Sequence, residues 1–242
     1  MRVLVVTGAG ISAESGIPTF RGAGGYWRNL DPTKLATQSA FDSDPEIVWQ
    51  WYRERREMVR RAEPNDAHRA VAKLSARADE FFLITQNVDD LHDRAEWDGY
   101  RIPEEQIAHV HGDIFVTKCE RGDFSTRDID DSSTGVPRCP QCGARMRPGV
   151  VWFGEGLDPR VVARADNYVR ARQCDTVIVV GTTVAFDYIV HWTRIGAGRR
   201  GRIIEVNPDD RFLEALGAEW VRESAASALP RLVDYLVSSN TI

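Results

Sequence analysis

Near-continuous apolar runs recur along the chain: Arg2–Thr7 (RVLVVT), Glu80–Thr85 (EFFLIT), Thr176–Val180 (TVIVV) and Arg202–Val206 (RIIEV). Apolar character without in-and-out alternation predicts strands of a parallel sheet covered on both faces. Helical patterns lie between them. Asp44 caps one, with Pro45 at its first position, running to about Arg61. Asn65 caps another, through Ala78, and Asp158–Arg172, Asp187–Ala197 and Ser224–Val237 complete the set. Strands alternating with helices predict a doubly wound, Rossmann-like α/β fold.

Cys119 to about Arg147 departs from this pattern. It is rich in Asp, Ser, Gly, Arg and Pro and nearly lacks large apolar side chains, so it cannot build a core of its own. The expected organisation is a Rossmann-like domain from residues 1–115 and 148–242, with 116–147 inserted as a small zinc-ribbon-like module. There is no internal repeat, and fraying is expected in the last residues, Ser238–Ile242.

Composition narrows the classes. Of 242 residues, 43% are hydrophobic and 28% charged, which suits a soluble globular chain. Lys and Arg total 31 against 36 Asp and Glu, a net charge of −5, so no global basic excess exists to hold nucleic acid. Val3–Val6 is too short for an export signal, and no run approaches a membrane span; a cytoplasmic, monomeric protein without membrane contact is expected. In that setting Cys119, Cys139, Cys142 and Cys174 read as metal ligands or reduced thiols.

Gly8-Ala9-Gly10-Ile11-Ser12-Ala13 directly follows the first strand and matches G-x-G-x-x-A, a dinucleotide fingerprint. Such glycines permit a tight turn and close approach of backbone to a pyrophosphate. The dehydrogenase version of the motif then fails, because Ser15-Gly16-Ile17-Pro18 interrupts the helix almost at once. The segment beyond, Thr19 to Trp27, carries one cation, Arg21, and three aromatics, Phe20, Tyr26 and Trp27. It reads as a loop closing over phosphate and ribose rather than a plain surface loop, where such aromatics are wasteful.

Gln86, Asn87 and Asp89 follow the strand ending at Thr85, where open α/β sheets bind ligands. An amide and a carboxylate can bond both ends of a carboxamide; equally, Asn87 or Asp89 could cap a helix. Of five histidines, His109 and His111 are two apart and share a face if on a strand. His68 reads as a packing residue, and Cys174 as a buried thiol. Tyr52 and Arg55, three apart on the helix after Pro45, could bind a carboxylate, or could belong to a solvated amphipathic helix.

Residues Gly8 to Arg21 (GAGISAESGIPTFR) closely resemble the first signature of the sirtuins, NAD-dependent protein lysine deacylases. Thr85–His92 (TQNVDDLH) resembles the second signature, His111–Phe115 (HGDIF) the catalytic histidine motif, and Val151–Glu155 (VWFGE) the substrate-binding strand. Gly181-Thr182-Thr183 and Val206-Asn207 resemble later nucleotide contacts, in the family's order.

The resemblance implies an NAD-consuming deacylase acting on acyl-lysine proteins or peptides. NAD would be surrounded by Gly8, Ala9, Gly10, Ser12, Glu14, Thr19, Phe20, Arg21 and Trp27, with Gln86, Asn87, Val88 and Asp89 at its nicotinamide end. Gly181, Thr182, Thr183, Asn207 and Ala225 would meet its far side. Thr183 replaces the family's usual Ser, and Val184–Asp187 departs from its apolar run with Pro. His111 would be the general base, with Asn87 and Asp89 assisting, and Val151, Trp152, Phe153 and Gly154 would hold the peptide. Tyr52, Arg55 and Ala36 resemble the acyl pocket of class III sirtuins, which remove succinyl and malonyl groups; acetyl would be a second substrate. The family's zinc site has two C-x-x-C pairs. Here Cys119, Cys139 and Cys142 are present but Gly122 stands where a fourth Cys is expected, so the fourth ligand is Glu120, Asp123 or water, or the loop is metal-free. Plain deacetylation, protein mono-ADP-ribosylation and non-catalytic NAD sensing stand as the alternatives.

Overall fold

A computed structural model of the chain describes residues 1–19, 32–132 and 134–239. Phe20, Arg21 and Trp27, expected around a nucleotide, lie outside the described residues, as does Tyr26.

The strands are β1 (Arg2–Thr7), β2 (Glu80–Thr85), β3 (Glu96–Trp97), β4 (Tyr100–Arg101), β5 (Ile107–His109), β6 (Gly112–Cys119), β7 (Ser125–Thr126), β8 (Met146–Val150), β9 (Thr176–Val180), β10 (Arg202–Val206) and β11 (Glu219–Val221). The helices are α1 (Pro32–Leu35), α2 (Gln38–Ser43), α3 (Pro45–Arg61), α4 (Asp66–Arg77), α5 (Leu91–Arg94), α6 (Pro159–Ala171), α7 (Asp187–Ala197) and α8 (Ala225–Ser239).

Six strands form a parallel sheet in the order β11-β10-β9-β1-β2-β5. Val3, Leu4, Val5 and Val6 of β1 are at most 1% exposed, which explains their unbroken apolar run. Side chains alternate between two cores. Val3 and Val5 pack beneath α4 and α8, whereas Leu4 and Val6 pack beneath α6 and α7. Removing each such side chain from water contributes about 1.5–3 kcal/mol. The doubly wound expectation holds.

The order of strand addition reverses between the parallel neighbours β1 and β9: the sheet grows through β2 and β5 on one side, through β10 and β11 on the other. Such a switch point opens a crevice beyond the carboxyl ends of both strands.

In a second, antiparallel sheet, β7-β6-β8, Cys119 ends β6, and Cys139 and Cys142 lie in the connection from β7 to β8. The sheet draws on residues either side of 116–147, since β6 begins at Gly112 and β8 ends at Val150. It does not stand alone. Trp49, Trp51 and Tyr52 of α3 pack with Ile114, Val150 and Trp152. Arg56, 1% exposed, stitches α3 to β6 by donating to the carbonyls of Ile114 and Val116 and to Thr117 Oγ1, with Asp131 as its counter-ion. No helix among the described residues is long and apolar enough to cross a membrane.

Candidate active site

The glycine motif lies at the switch point. Gly8 N donates to Val180 O at 3.0 Å, and Gly10 N donates to Gly181 O at 2.8 Å. A side chain on Gly10 would meet Gly181 Cα at 2.6 Å, so the two glycines let β1 and β9 end in contact. Two short 3₁₀ turns follow, Ala9–Ile11 and Ala13–Ser15, and Gly16 closes them at φ +84°. That is the early interruption predicted from Gly16 and Pro18. Glu14 reaches away from this turn: its carboxylate accepts from Ser224 Oγ and Ala226 N at the start of α8. Ala225 beside them is buried.

Ser12, fully buried, gathers the second motif. Its hydroxyl donates to Asp89 Oδ2 at 3.0 Å and accepts from Asn87 Nδ2 at 3.0 Å, with His68 Nε2 at 3.4 Å. Asp89 also accepts from Leu91 N at 3.1 Å, from the position before the N-cap of α5, which is Asp90. Burial outweighs these donors and pushes the Asp89 carboxyl up to about 6. Gln86 Nε2 donates to Thr182 Oγ1 at 2.9 Å, and Asn207 Nδ2 to Thr182 O at 3.1 Å. These bonds join the ends of β2, β9 and β10 around one crevice. Thr183, next to Thr182, is exposed, and Thr19 is half-buried.

His109 and His111 differ in surroundings. His109 Nε2 is 3.2 Å from Asp93, whose bond and charge raise its pKa against burial. His111, half-buried, places Nδ1 2.9 Å from Gln86 O and Nε2 2.6 Å from Tyr188 Oη. Burial lowers its pKa, so the imidazole is neutral and able to accept a proton at neutral pH. His111 O accepts from Val151 N at 2.8 Å, tying it to the Val151–Gly154 segment.

That segment has a support the sequence did not reveal. Glu155 accepts from Trp152 N at 2.8 Å and pairs with buried Arg147, whose guanidinium lies 3.4 Å above the Trp152 ring. Trp152 is 1% exposed while Phe153, next to it, is 40% exposed. An open cleft of about 640 Å³ runs along Val151 and Glu155 to Gly156, with Lys118 at its wall.

Ala36, Tyr52 and Trp152 are buried in one cluster, with Val88 packed against it. Tyr52 Oη accepts from Trp152 Nε1 at 2.9 Å, and burial pushes the phenol up to about 12. Arg55, one turn along α3, lies over the Trp51 ring at 4.8 Å and feels both Tyr52 and Asp89. The solvated-helix alternative fails for Tyr52, which is 3% exposed.

The thiols of Cys119, Cys139 and Cys142 lie within 4.8 Å of one another. They fit a tetrahedral soft metal such as zinc, with one position left. Glu120 is engaged by Arg145 at 2.7 and 2.9 Å, and no carboxylate joins the three thiols among the described residues. Cys174 is buried with its thiol pushed up to about 11, as expected of an inert thiol.

Sequence reasoning missed three participants: Tyr188 on His111, Arg147 behind Glu155, and His68 beside Ser12. His68 does pack, at 0% exposure with its pKa lowered to about 3 by burial, but it packs against the Asn87–Asp89 network. Buried His92, 3.1 Å from Thr7 Oγ1, backs it ring against ring at 4.9 Å.

Comparison with known proteins agrees with this geometry. Residues 8–187 match the model of the Sir2 family. The NAD-dependent protein deacylase 1 of Archaeoglobus fulgidus is 42% identical over 97% of this chain and 92% of its own length. The NAD-dependent protein deacylase of Aquifex aeolicus is 36% identical over 98% and 95%. A crystal structure of a Sir2 homologue with NAD superposes with a TM-score of 0.86 at 41% identity, covering 98% of this chain and 90% of that one. With the glycine turn, the Asn87–Asp89 network and the histidine gathered at one switch point, and with relatives matching nearly end to end, the chain belongs to the Sir2 family.

Proposed function

We propose that this protein is an NAD-dependent protein lysine deacylase. The observation that carries this reading is His111, whose Nδ1 is held by the Gln86 carbonyl at 2.9 Å, one residue before the Asn87–Asp89 pair that bonds to Ser12 just after the glycine turn. NAD is the co-substrate. The backbone amides of the glycine turn and of Gly181–Thr183 would receive its phosphates, and Asn207 and Gln86 its riboses. Asn87 and Asp89 would hold the carboxamide of nicotinamide, and their burial keeps water from the glycosidic bond. The acyl-lysine backbone would lie along Val151–Gly154, delivering its amide oxygen to the ribose carbon as nicotinamide leaves. His111 then takes the proton of a ribose hydroxyl, whose oxygen attacks the acyl carbon. Water completes release of lysine and O-acyl-ADP-ribose.

The acyl group we propose is acidic, succinyl or malonyl, with acetyl as a second substrate. Tyr52, clustered with Ala36, and Arg55, lying over Trp51 one turn along α3, support this: a guanidinium removed from water rewards a carboxylate far more than a methyl. Three cysteines would hold zinc as a structural ion, fixing the β6–β8 sheet against α3. A monomeric, cytoplasmic enzyme is the setting we propose. The domain division we propose is the parallel sheet binding NAD, with the cysteine module inserted into it.

A panel of one lysine peptide carrying acetyl, propionyl, succinyl or malonyl, at one NAD concentration, tests the reading. Mass spectrometry should find free lysine and O-acyl-ADP-ribose, most rapidly from the succinyl or malonyl peptide. ADP-ribose remaining attached to protein, with the acyl group untouched, would return the chain to mono-ADP-ribosyl transfer.

A further inference from the structure

Tyr188 is the second residue of α7, just beyond the Gly181–Thr183 turn. Its ring stacks on Phe186, 5.2 Å between centroids and 8° from parallel, and leans on Trp192 at 5.3 Å. Phe186 meets the His111 ring edge-on at 5.4 Å. These contacts carry the phenol oxygen to 2.6 Å from His111 Nε2.

The directions of the two bonds to His111 follow from chemistry. The Gln86 carbonyl can only accept, so Nδ1 carries the hydrogen. A neutral imidazole then has its free lone pair on Nε2, and the Tyr188 O–H donates into it. The deacylase reading uses the same lone pair as the base. One lone pair accepts one hydrogen bond in line, so the phenol and a ribose hydroxyl cannot both hold it.

We infer that Tyr188 is a positioning residue for His111: without nucleotide its phenol fixes the Nδ1–H tautomer and the aim of Nε2, and the ribose hydroxyl of bound NAD then replaces it. The second half rests on the deacylase reading; the first is a property of the protein alone. Because a protonated imidazole offers the phenol no lone pair, the bond favours neutral His111 in the free protein. Among the described residues no charged side chain opposes this. Burial and the Gln86 carbonyl are the influences on His111. The charged and titratable groups of the surrounding elements are otherwise occupied or exposed. Asp113 of β6 pairs with Arg127, and His109 of β5 with Asp93. Asp89 bonds to Ser12, and Asp187 of α7 is exposed.

The test is imidazole nitrogen NMR of wild type and Tyr188→Phe, titrated with and without saturating NAD and without peptide, together with calorimetric NAD binding. Phenylalanine keeps the stack and loses the donor. A typical hydrogen bond corresponds to about two- to ten-fold in an equilibrium constant. The variant should therefore raise the His111 midpoint of the free protein by about 0.3–1 pH unit and bind NAD about two- to ten-fold more tightly. With NAD bound, the two proteins should titrate alike. An unmoved midpoint in the free variant overturns the inference. So does a wild-type spectrum with the hydrogen on Nε2, a measurement that stands even if the variant does not fold. Failure of wild type to bind NAD would instead contradict the deacylase reading, while the free-protein midpoint still decides the role of Tyr188.

Discussion

Ser12 donates its hydroxyl hydrogen to the Asp89 carboxylate at 3.0 Å, inside a network from which water is largely excluded. The site thus holds a carboxylate where the fold would prefer none. Burial raises Asp89 from an ordinary 3.8 to about 6. Well below pH 3.8 the group is protonated folded or unfolded and costs nothing, and at pH 4 only a small part of the cost is felt. As pH rises toward 6 the unfolded chain ionises first, and above 6 the full cost, about 3 kcal/mol, falls on the folded state. Asp89→Asn should therefore melt several degrees above wild type at pH 8 and nearly alongside it at pH 4, while losing deacylation. Thermal melts at both pH values check this; a variant melting below wild type at pH 8 would contradict it.

Gly10 and Gly181 touch through backbone, with no flexible side chain to give way. Gly10→Ala should cost about 1–3 kcal/mol of stability and weaken NAD binding at least about tenfold by displacing the turn. Gly122→Ala is the control: open space surrounds that position, so little should change. Calorimetric NAD titrations and urea melts of both variants measure the difference.

Much of this was legible in the chain itself. Asp44 and Pro45 start α3 where capping chemistry places them, and Asp44 Oδ1 accepts from Ile47 N. The apolar runs became β1, β2, β9 and β10 with the bounds read from the sequence. Gly8 and Gly10 were legible as a tight turn after the first strand; that the turn abuts Gly181 and Thr182 of the neighbouring strand's end only the structure reveals. The unread parts depend on partners remote in sequence. Tyr188 meets His111 across 77 positions and His68 meets Ser12 across 56, so no local periodicity announces either. Arg147 and Glu155 are only eight apart, but a turn that reverses the chain has to be known before they can be paired. Cys119 to Arg147 gave composition without pattern, and its small sheet is ordered by α3 and the thiol cluster rather than by its own apolar periodicity.

Tyr52 and Arg55 should set acyl preference separately from stability. Arg55→Met keeps the bulk of the side chain and removes the charge. It should lower the succinyl-to-acetyl ratio of kcat/KM about tenfold or more. Tyr52→Phe should do so too and, by leaving the Trp152 indole N–H without its acceptor, cost about 1–3 kcal/mol of stability. Competition between the two peptides in one reaction, read by mass spectrometry, gives the ratio directly. An unchanged ratio in Arg55→Met would remove the acidic-acyl reading.

The cysteine cluster predicts one zinc per chain, measured by elemental analysis of protein purified without added metal. Cys139→Ser should lose the ion and several degrees of melting temperature, since Cys139 is buried in that small core. Gly122→Cys, placed in open space, should slow zinc loss to a chelator by supplying a fourth thiolate. Protein free of zinc yet melting unchanged would show that the three thiols serve packing alone.

The central claim is that His111 acts after nicotinamide has left, on a ribose hydroxyl. The most direct measurement follows labelled nicotinamide exchanging into NAD, and free lysine forming, in one reaction with acyl-lysine peptide and His111→Ala. The variant should still exchange nicotinamide while lysine formation falls at least about a hundredfold. Lysine formation at the wild-type rate without the imidazole would contradict the account.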